Sequence, residues 1–149
     1  MKRTTIEVIS YADGSHRRQV VGLWKTVFGY ETAHNDPILS LDRKLAVGDG
    51  LLFVALSGDT VVGTIMAGYD GHRGWIYSVA VSPTHRHQGI GTQLVAHAEA
   101  ALAKRGCVKI NLQILEGNEG AVEFYESLGF VVEPRISMGK RVPENIPQG

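Results

Sequence analysis

The chain has 149 residues, 44% hydrophobic and 20% charged, with 15 basic and 15 acidic side chains cancelling to zero net charge. This is ordinary globular composition for one domain able to build its own core, and it excludes a disordered chain and an overall basic nucleic-acid footprint. No apolar run is long enough to span a bilayer, and no secretory apolar segment follows the basic start at Lys2 and Arg3, so no membrane attachment is expected. Cys107 is the only cysteine, which rules out an intrachain disulfide and fits a cytoplasmic setting.

Taken in chain order, Thr5 to Ser10 alternates apolar and polar residues and reads as a first strand. From Ser15 to Phe28 the apolar residues recur at helical spacing until Gly29 stops them. Asn35-Asp36-Pro37 is a turn or cap, with a short helix predicted from Leu39 to Val47. Leu51 to Leu56 and Val61 to Tyr69 are strands joined by Ser57-Gly58-Asp59 as a hairpin, and the turn Asp70 to Gly74 leads into a strand from Trp75 to Val81. Pro83 ends that strand. A helix is predicted over Ile90 to Lys104, with Arg105-Gly106 as its stop. Cys107 to Leu115 alternates again as a strand, Asn118 to Leu128 is a helix closed by Gly129, and Phe130 to Val132 and Ile136 to Gly139 read as short final strands. The tail from about residue 142, with Pro143 and Pro147, is expected to be loose. No repeat, low-complexity segment or linker interrupts this order. It predicts a single domain over 1–149, an α+β sandwich with a mixed sheet.

The run Arg86-His87-Gln88-Gly89-Ile90-Gly91-Thr92 joins a strand to a long helix. Glycines at a helix entrance let unpaired backbone N–H groups approach a ligand, and the helix dipole favours an anion such as phosphate. A dinucleotide fingerprint needs a third glycine and a downstream acid, and a P-loop needs Gly-Lys-Ser/Thr, so neither applies. Taken alone, the run also fits a loop whose glycines merely let a helix pack closely on a strand.

The stretch from Ser78 to Gly91, followed by an apolar helix, resembles the acetyl-CoA-binding motif of the GNAT N-acetyltransferases. Asn118, Ala121, Phe124-Tyr125-Glu126 and Leu128-Gly129-Phe130 resemble a second element of that family, in the right order and with the expected helix and strand between. Asn35-Asp36-Pro37, Asp42-Arg43-Lys44 and Gly68 to Gly74 are similar to the small bacterial YpeA-type branch. The resemblance implies a GNAT-like mixed, mostly antiparallel central sheet flanked by helices in an α/β/α sandwich. It implies transfer of the acetyl group of acetyl-CoA to a primary amine, on a small molecule or a protein, by direct attack in a ternary complex. It also admits a homodimer, while the zero net charge leaves no nucleic-acid partner expected.

The resemblance further implies roles for particular residues. Backbone N–H groups of His87, Gln88, Gly89, Ile90, Gly91 and Thr92 cradle the pyrophosphate, while Arg86 adds charge or braces the loop. Val79, Ala80 and Val81 lie beside the pantetheine arm, with the N–H of Ala80 or Val81 near the thioester oxygen. Tyr125 is the general acid at the CoA sulfur, or else a packed aromatic; Asn118 contacts the pantetheine, caps a helix, or both.

Gln113 stands where ribosomal-protein acetyltransferases of the family carry a glutamate, and an amide cannot act as a base. This leaves an acyl-CoA-binding module with little or no catalysis as the alternative. It also leaves Glu116 as the candidate base, with Asp70 and His72 as others, each equally readable as a turn residue. The turn from Tyr69 to Gly74 and the segment from Thr32 to Lys44 are expected to shape the acceptor pocket, with Tyr69, Asp70 and His72 at the substrate. Asp36, Asp42 and Asp70 would favour a cationic acceptor. The histidines show no His-x-x-x-His or Glu-x-x-His spacing, so no metal is expected. Cys107 reads as a small buried hydrophobe, and Trp24, Phe28 and Trp75 as core or pocket wall.

Overall fold

A computed structural model describes residues 5–29 and 36–143. Asn35, Thr32 and its neighbours in the expected acceptor segment, and Pro147 in the tail lie outside them. The chain forms two compact units, Met1–Gln113 and Ile114–Gly149.

The first unit carries the whole sheet. Its elements are β1 (Ile6–Ser10), α1 (Asp13–Phe28), α2 (Pro37–Val47), β2 (Leu52–Ser57), β3 (Thr60–Tyr69), β4 (Gly74–Val81), a 3-10 turn (Pro83–His85), α3 (Ile90–Lys104) and β5 (Ile110–Asn111). The strand order is β1-β2-β3-β4-β5, antiparallel from β1 to β4, with β5 parallel to β4. This is the mixed, mostly antiparallel sheet that was expected.

Alternation along β2 sends residues to two faces. Leu52 and Val54 join Val20, Val21, Leu23 and Trp24 of α1 and Leu41 of α2 in one buried cluster. On the neighbouring position, the Phe53 ring meets His97 of α3 edge-on, with centroids 4.6 Å apart. The sheet therefore lies between α1 and α2 on one side and α3 on the other. Gly63 sets how closely α3 approaches: a Cβ there would stand 3.0 Å from Leu94 Cδ1 and from the Ala80 carbonyl oxygen, and 3.2 Å from Ile90 Cγ2. Phe28, read as core or pocket wall, is exposed at the end of α1 and so is not core.

Helix α2 starts two residues earlier than its apolar spacing predicts. The Asp36 side chain accepts the Leu39 N–H at 3.3 Å, and Pro37 occupies the first turn, where its missing N–H costs nothing. Arg17 of α1 reaches Asp13 at 2.8 Å and Asp42 of α2 at 2.7 Å, tying the two helices together.

The predicted strand Cys107 to Leu115 shrinks to Ile110–Asn111, and Phe130 to Val132 and Ile136 to Gly139 are not strands. Alternation creates a strand only where one face is buried and an edge is available. Val108 is 92% exposed, Leu115 85% and Ile136 92%, so these apolar positions have no covered face to reward pairing. Pro134, lying between the last two segments, offers no N–H to a ladder. Cys107 is only partly buried; its thiol donates to the Lys109 carbonyl at 3.3 Å. The second unit contains α4 (Glu119–Ser127).

Candidate active site

Two features of the first unit converge at the carboxyl end of β4. One is an open edge. Strand β5 pairs with β4 only at Gly74↔Ile110 and Trp75↔Asn111, so among the described residues no strand covers the outer edge of β4 from Ile76 to Val81. The other is a bulge. Met66 faces Tyr77 and Thr64 faces Ala80, so Ile65 alone opposes both Ser78 and Val79. Ser78 has φ 50°, a left-handed conformation that non-glycine residues seldom adopt.

The phase of the ladder decides which β4 donors face outward. Ser82 N–H donates to the Val62 carbonyl at 2.8 Å, which makes that a hydrogen-bonded pair. Hydrogen-bonded and non-bonded pairs alternate, so Ala80 exchanges its bonds with Thr64 while the Val81 N–H points away from β3. Of the two N–H groups expected near a thioester, that of Ala80 is thus turned into the sheet and that of Val81 outward. Ala80 is buried; Val79 and Val81 are partly exposed.

The loop that follows is exposed from Arg86 to Gly89, and Ile90 is buried. His87 at φ 64° and Gly89 at φ 77° bend the chain through left-handed conformations, a geometry that gathers successive N–H groups on one concave side. No side chain caps α3, whose N-cap is Gly89, and the Gln93 N–H to Gly89 carbonyl bond at 3.1 Å is the first of its ladder. The N–H groups of Ile90, Gly91 and Thr92 therefore have no acceptor within the helix. Together with the positive end of the dipole they suit a phosphate.

The β3–β4 turn is held by its own aspartate. Asp70 Oδ1 accepts the N–H groups of His72 and Arg73, both at 2.7 Å. Those bonds, the one from Arg73 foremost, hold its carboxyl below the usual range. The Tyr69 hydroxyl donates to the Gly71 carbonyl at 3.3 Å, and His72 is exposed. Tyr77, which the sequence pattern did not single out, is 49% exposed; burial first, then the charge of Asp70, raises its phenol.

Glu116, Asn118 and Tyr125 belong to the second unit. Glu116 lies exposed on a turn with Gly117, which has φ 91°. Asn118 Oδ1 accepts the Ala121 N–H at 3.1 Å and caps α4. The Tyr125 ring sits edge-on to Phe124 at 4.9 Å and to Phe130 at 5.6 Å, and burial raises its phenol above the ordinary value of 10.0.

Among the described residues no group of three or more His, Cys, Asp or Glu side chains could hold a metal ion, and no helix is long and apolar enough to cross a membrane.

The Acetyltransferase (GNAT) family model matches residues 17–130. An acetyltransferase of Yersinia pestis (strain Pestoides F) is 39% identical over 108 residues, covering 72% of this chain and 77% of that protein. An acetyltransferase of Pectobacterium atrosepticum is 40% identical over 111 residues, covering 74% and 79%. An aminoglycoside N-acetyltransferase solved in complex with CoA shares the fold with a TM-score of 0.78 over 94% of this chain and 97% of that one, at 18% identity. With these matches the chain belongs to the GNAT family as an acetyl-CoA-dependent acetyltransferase.

Proposed function

We propose that this protein acetylates a primary amine by direct attack on acetyl-CoA in a ternary complex. The observation that carries the reading is the uncapped start of α3 adjoining the open edge of β4. His87 to Thr92 bind the pyrophosphate through backbone N–H groups, with exposed Arg86 adding charge. The outer edge of Val79 to Val81 holds the pantetheine arm as an added strand, and an outward N–H there meets the thioester oxygen as negative charge develops on it.

Tyr125 donates its proton to the departing CoA sulfur; its raised phenol keeps that proton in place at neutral pH. Asn118 contacts the pantetheine with whatever donor capacity its capping bond leaves. Glu116 receives the amine proton, directly or through water. It is the better base because the Asp70 carboxylate already accepts two backbone N–H groups, which lowers its basicity. Tyr69, Asp70 and His72 line the approach of the acceptor, whose identity these features leave as a primary amine.

Calorimetric titration with acetyl-CoA, followed by a panel of amines with thiol-release detection, tests this reading. Saturable binding and thiol release with at least one amine are expected. No binding at millimolar acetyl-CoA overturns it. Binding without transfer to any amine in the panel favours the acyl-CoA-binding alternative.

A further inference from the structure

We propose that Thr64, keyed by Trp24, is a positioning residue for acetyl transfer: its hydroxyl sets the Ser78–Val79 peptide and so aims the Val79 N–H at the open edge of β4. The inference rests on the acetyl-transfer reading above.

Thr64 is a hydroxyl in the middle of the sheet with 0% exposure, and Trp24 beside it is 2% exposed. A buried hydroxyl without partners is costly, so its bonds are informative. Trp24 Nε1 donates to Thr64 Oγ1 at 2.8 Å, and Thr64 Oγ1 donates to the Ser78 carbonyl at 3.0 Å. The direction of this chain is not free to reverse. Indole N–H can only donate and a carbonyl can only accept, so the hydroxyl proton must point at Ser78.

The carbonyl it reaches belongs to the bulge. Ser78 and Val79 lie opposite Ile65; the Ala67 N–H donates to the Leu51 carbonyl, so by alternation Ile65 exchanges its main-chain bonds with Phe53 of β2, and β3 offers Ser78 and Val79 no main-chain partner at that level. The Thr64 hydroxyl supplies the missing bond from the side. Ser78 is also the residue held at φ 50°, a conformation costing about 1 kcal/mol or more for a side chain with a Cβ. A buried, doubly anchored hydroxyl is a physical reason for that conformation to persist.

The consequence follows from peptide geometry. The Ser78–Val79 bond is trans, so its C=O and N–H point in opposite directions. Fixing the carbonyl toward Thr64 sends the Val79 N–H away from β3, toward the edge that β5 leaves open. A donor fixed before the substrate arrives needs no reorganisation as charge develops on the thioester oxygen. Without Thr64 the peptide is free to rotate, and the donor loses its aim while the phosphate cradle at α3 stays intact.

The test compares the native chain with Thr64→Val, Thr64→Ser and Trp24→Phe. The readout is the infrared carbonyl stretch of acetyl-CoA carrying ¹³C in the acetyl group, alongside calorimetric affinity for CoA and acetyl-CoA. The native protein should lower the thioester stretch on binding. Thr64→Val should diminish that shift, and with it the preference for acetyl-CoA over CoA, leaving what the outward Val81 N–H supplies, with CoA affinity held within about threefold. Thr64→Ser should keep the shift, and Trp24→Phe should reduce it. Where an accepted amine is in hand, Thr64→Val should lower kcat more than tenfold at little change in the KM for acetyl-CoA. An undiminished shift in a folded Thr64→Val protein overturns the inference, as does a loss of CoA affinity parallel to the loss of kcat. If Thr64→Val does not fold, Trp24→Phe decides: an unchanged stretch there overturns it. A native protein that binds no acetyl-CoA overturns the underlying reading as well, and so separates the two failures.

Discussion

Helices α3 and α4 begin in opposite ways. At α4 the Asn118 side chain takes the Ala121 N–H, and at α2 the Asp36 side chain does the same for Leu39. At α3 the N-cap is a glycine with no side-chain bond, after a loop exposed from Arg86 to Gly89. A cap of the Asn or Asp kind is worth about 1 kcal/mol, so the bare start of α3 forgoes stability that its neighbours have. That is reasonable where the N–H groups are to be satisfied by a bound phosphate instead. Helix α1 also starts without a side-chain cap, at Ala12, so it is the adjoining open edge of β4 that leads the proposed function to read the α3 start, and not that of α1, as the ligand's.

A carboxylate placed at the open start of α3 should have the largest effect. Gly89 has room for it, since a Cβ there meets nothing within 4 Å, and Asp tolerates left-handed backbone better than most residues. Gly89→Asp should weaken acetyl-CoA binding more than tenfold by calorimetry, with thermal unfolding altered by about 1 kcal/mol or less. Gly89→Asn, of similar size and uncharged, should cost much less affinity. Equal losses in the two variants would mean that the glycine matters for shape alone.

Next in size is Tyr125→Phe, which leaves the α3 cradle untouched. It should lower kcat about tenfold or more while CoA affinity stays within about twofold. The phenol is raised by burial, so the protonated form persists to higher pH than for an exposed tyrosine. The native pH–kcat profile should therefore show no phenol-dependent decline until above the ordinary value of 10.0. A decline near neutral pH shared by the native protein and the Tyr125→Phe variant would belong to another group.

How much of this was legible in the sequence varies with the kind of bond involved. The limits of α3 were readable because both are written locally: Gly89 at the entrance and Arg105-Gly106 at the exit. The same holds for Asn118, where a capping residue precedes an apolar helix. The β4 bulge was not readable. Ser78 and Val79 continue an alternating pattern, and only the register against β3 shows the extra residue. Thr64 looks like any β-branched strand residue, because its importance lies in Trp24, 40 positions away, and in the Ser78 carbonyl. The strands predicted over Phe130 to Val132 and Ile136 to Gly139 failed for the complementary reason: alternation was present and a covered face was not. Caps, stops and turns were reliable, whereas alternation was reliable only where a face is covered, and side-chain bonds across the sheet left no local trace.

Asn118 then asks whether a closed helix start can also serve the ligand. Its Oδ1 is committed to Ala121, but its NH₂ group keeps two donors. Asn118→Asp retains the cap and adds a charge favourable to the α4 dipole, so stability should hold or rise slightly, while a pantetheine contact made by the NH₂ would be lost. Asn118→Ala should lose both, destabilising by about 1 kcal/mol. A severalfold weaker acetyl-CoA affinity in the Asn118→Asp variant at unchanged stability would show the residue working in both roles, and unchanged affinity would reduce it to a cap.

The smallest effect is expected at Asp70, where a side chain again closes a backbone turn, here between β3 and β4. Two N–H groups lower its folded pKa below the unfolded value of 3.8, so the bonds add stability above that pH and lose it as pH falls through the lower folded value. Asp70→Asn keeps an acceptor without the charge. It should flatten the acid limb of the unfolding curve only slightly, because the carboxylate is exposed and solvent screens it. With saturating acceptor, kcat near neutral pH should change less than twofold if Glu116 is the base, any loss falling on the KM of the acceptor that Asp70 faces. A tenfold fall in kcat for Asp70→Asn, with an unaltered unfolding curve, would move the base from Glu116 to this turn and make it an open site like the start of α3.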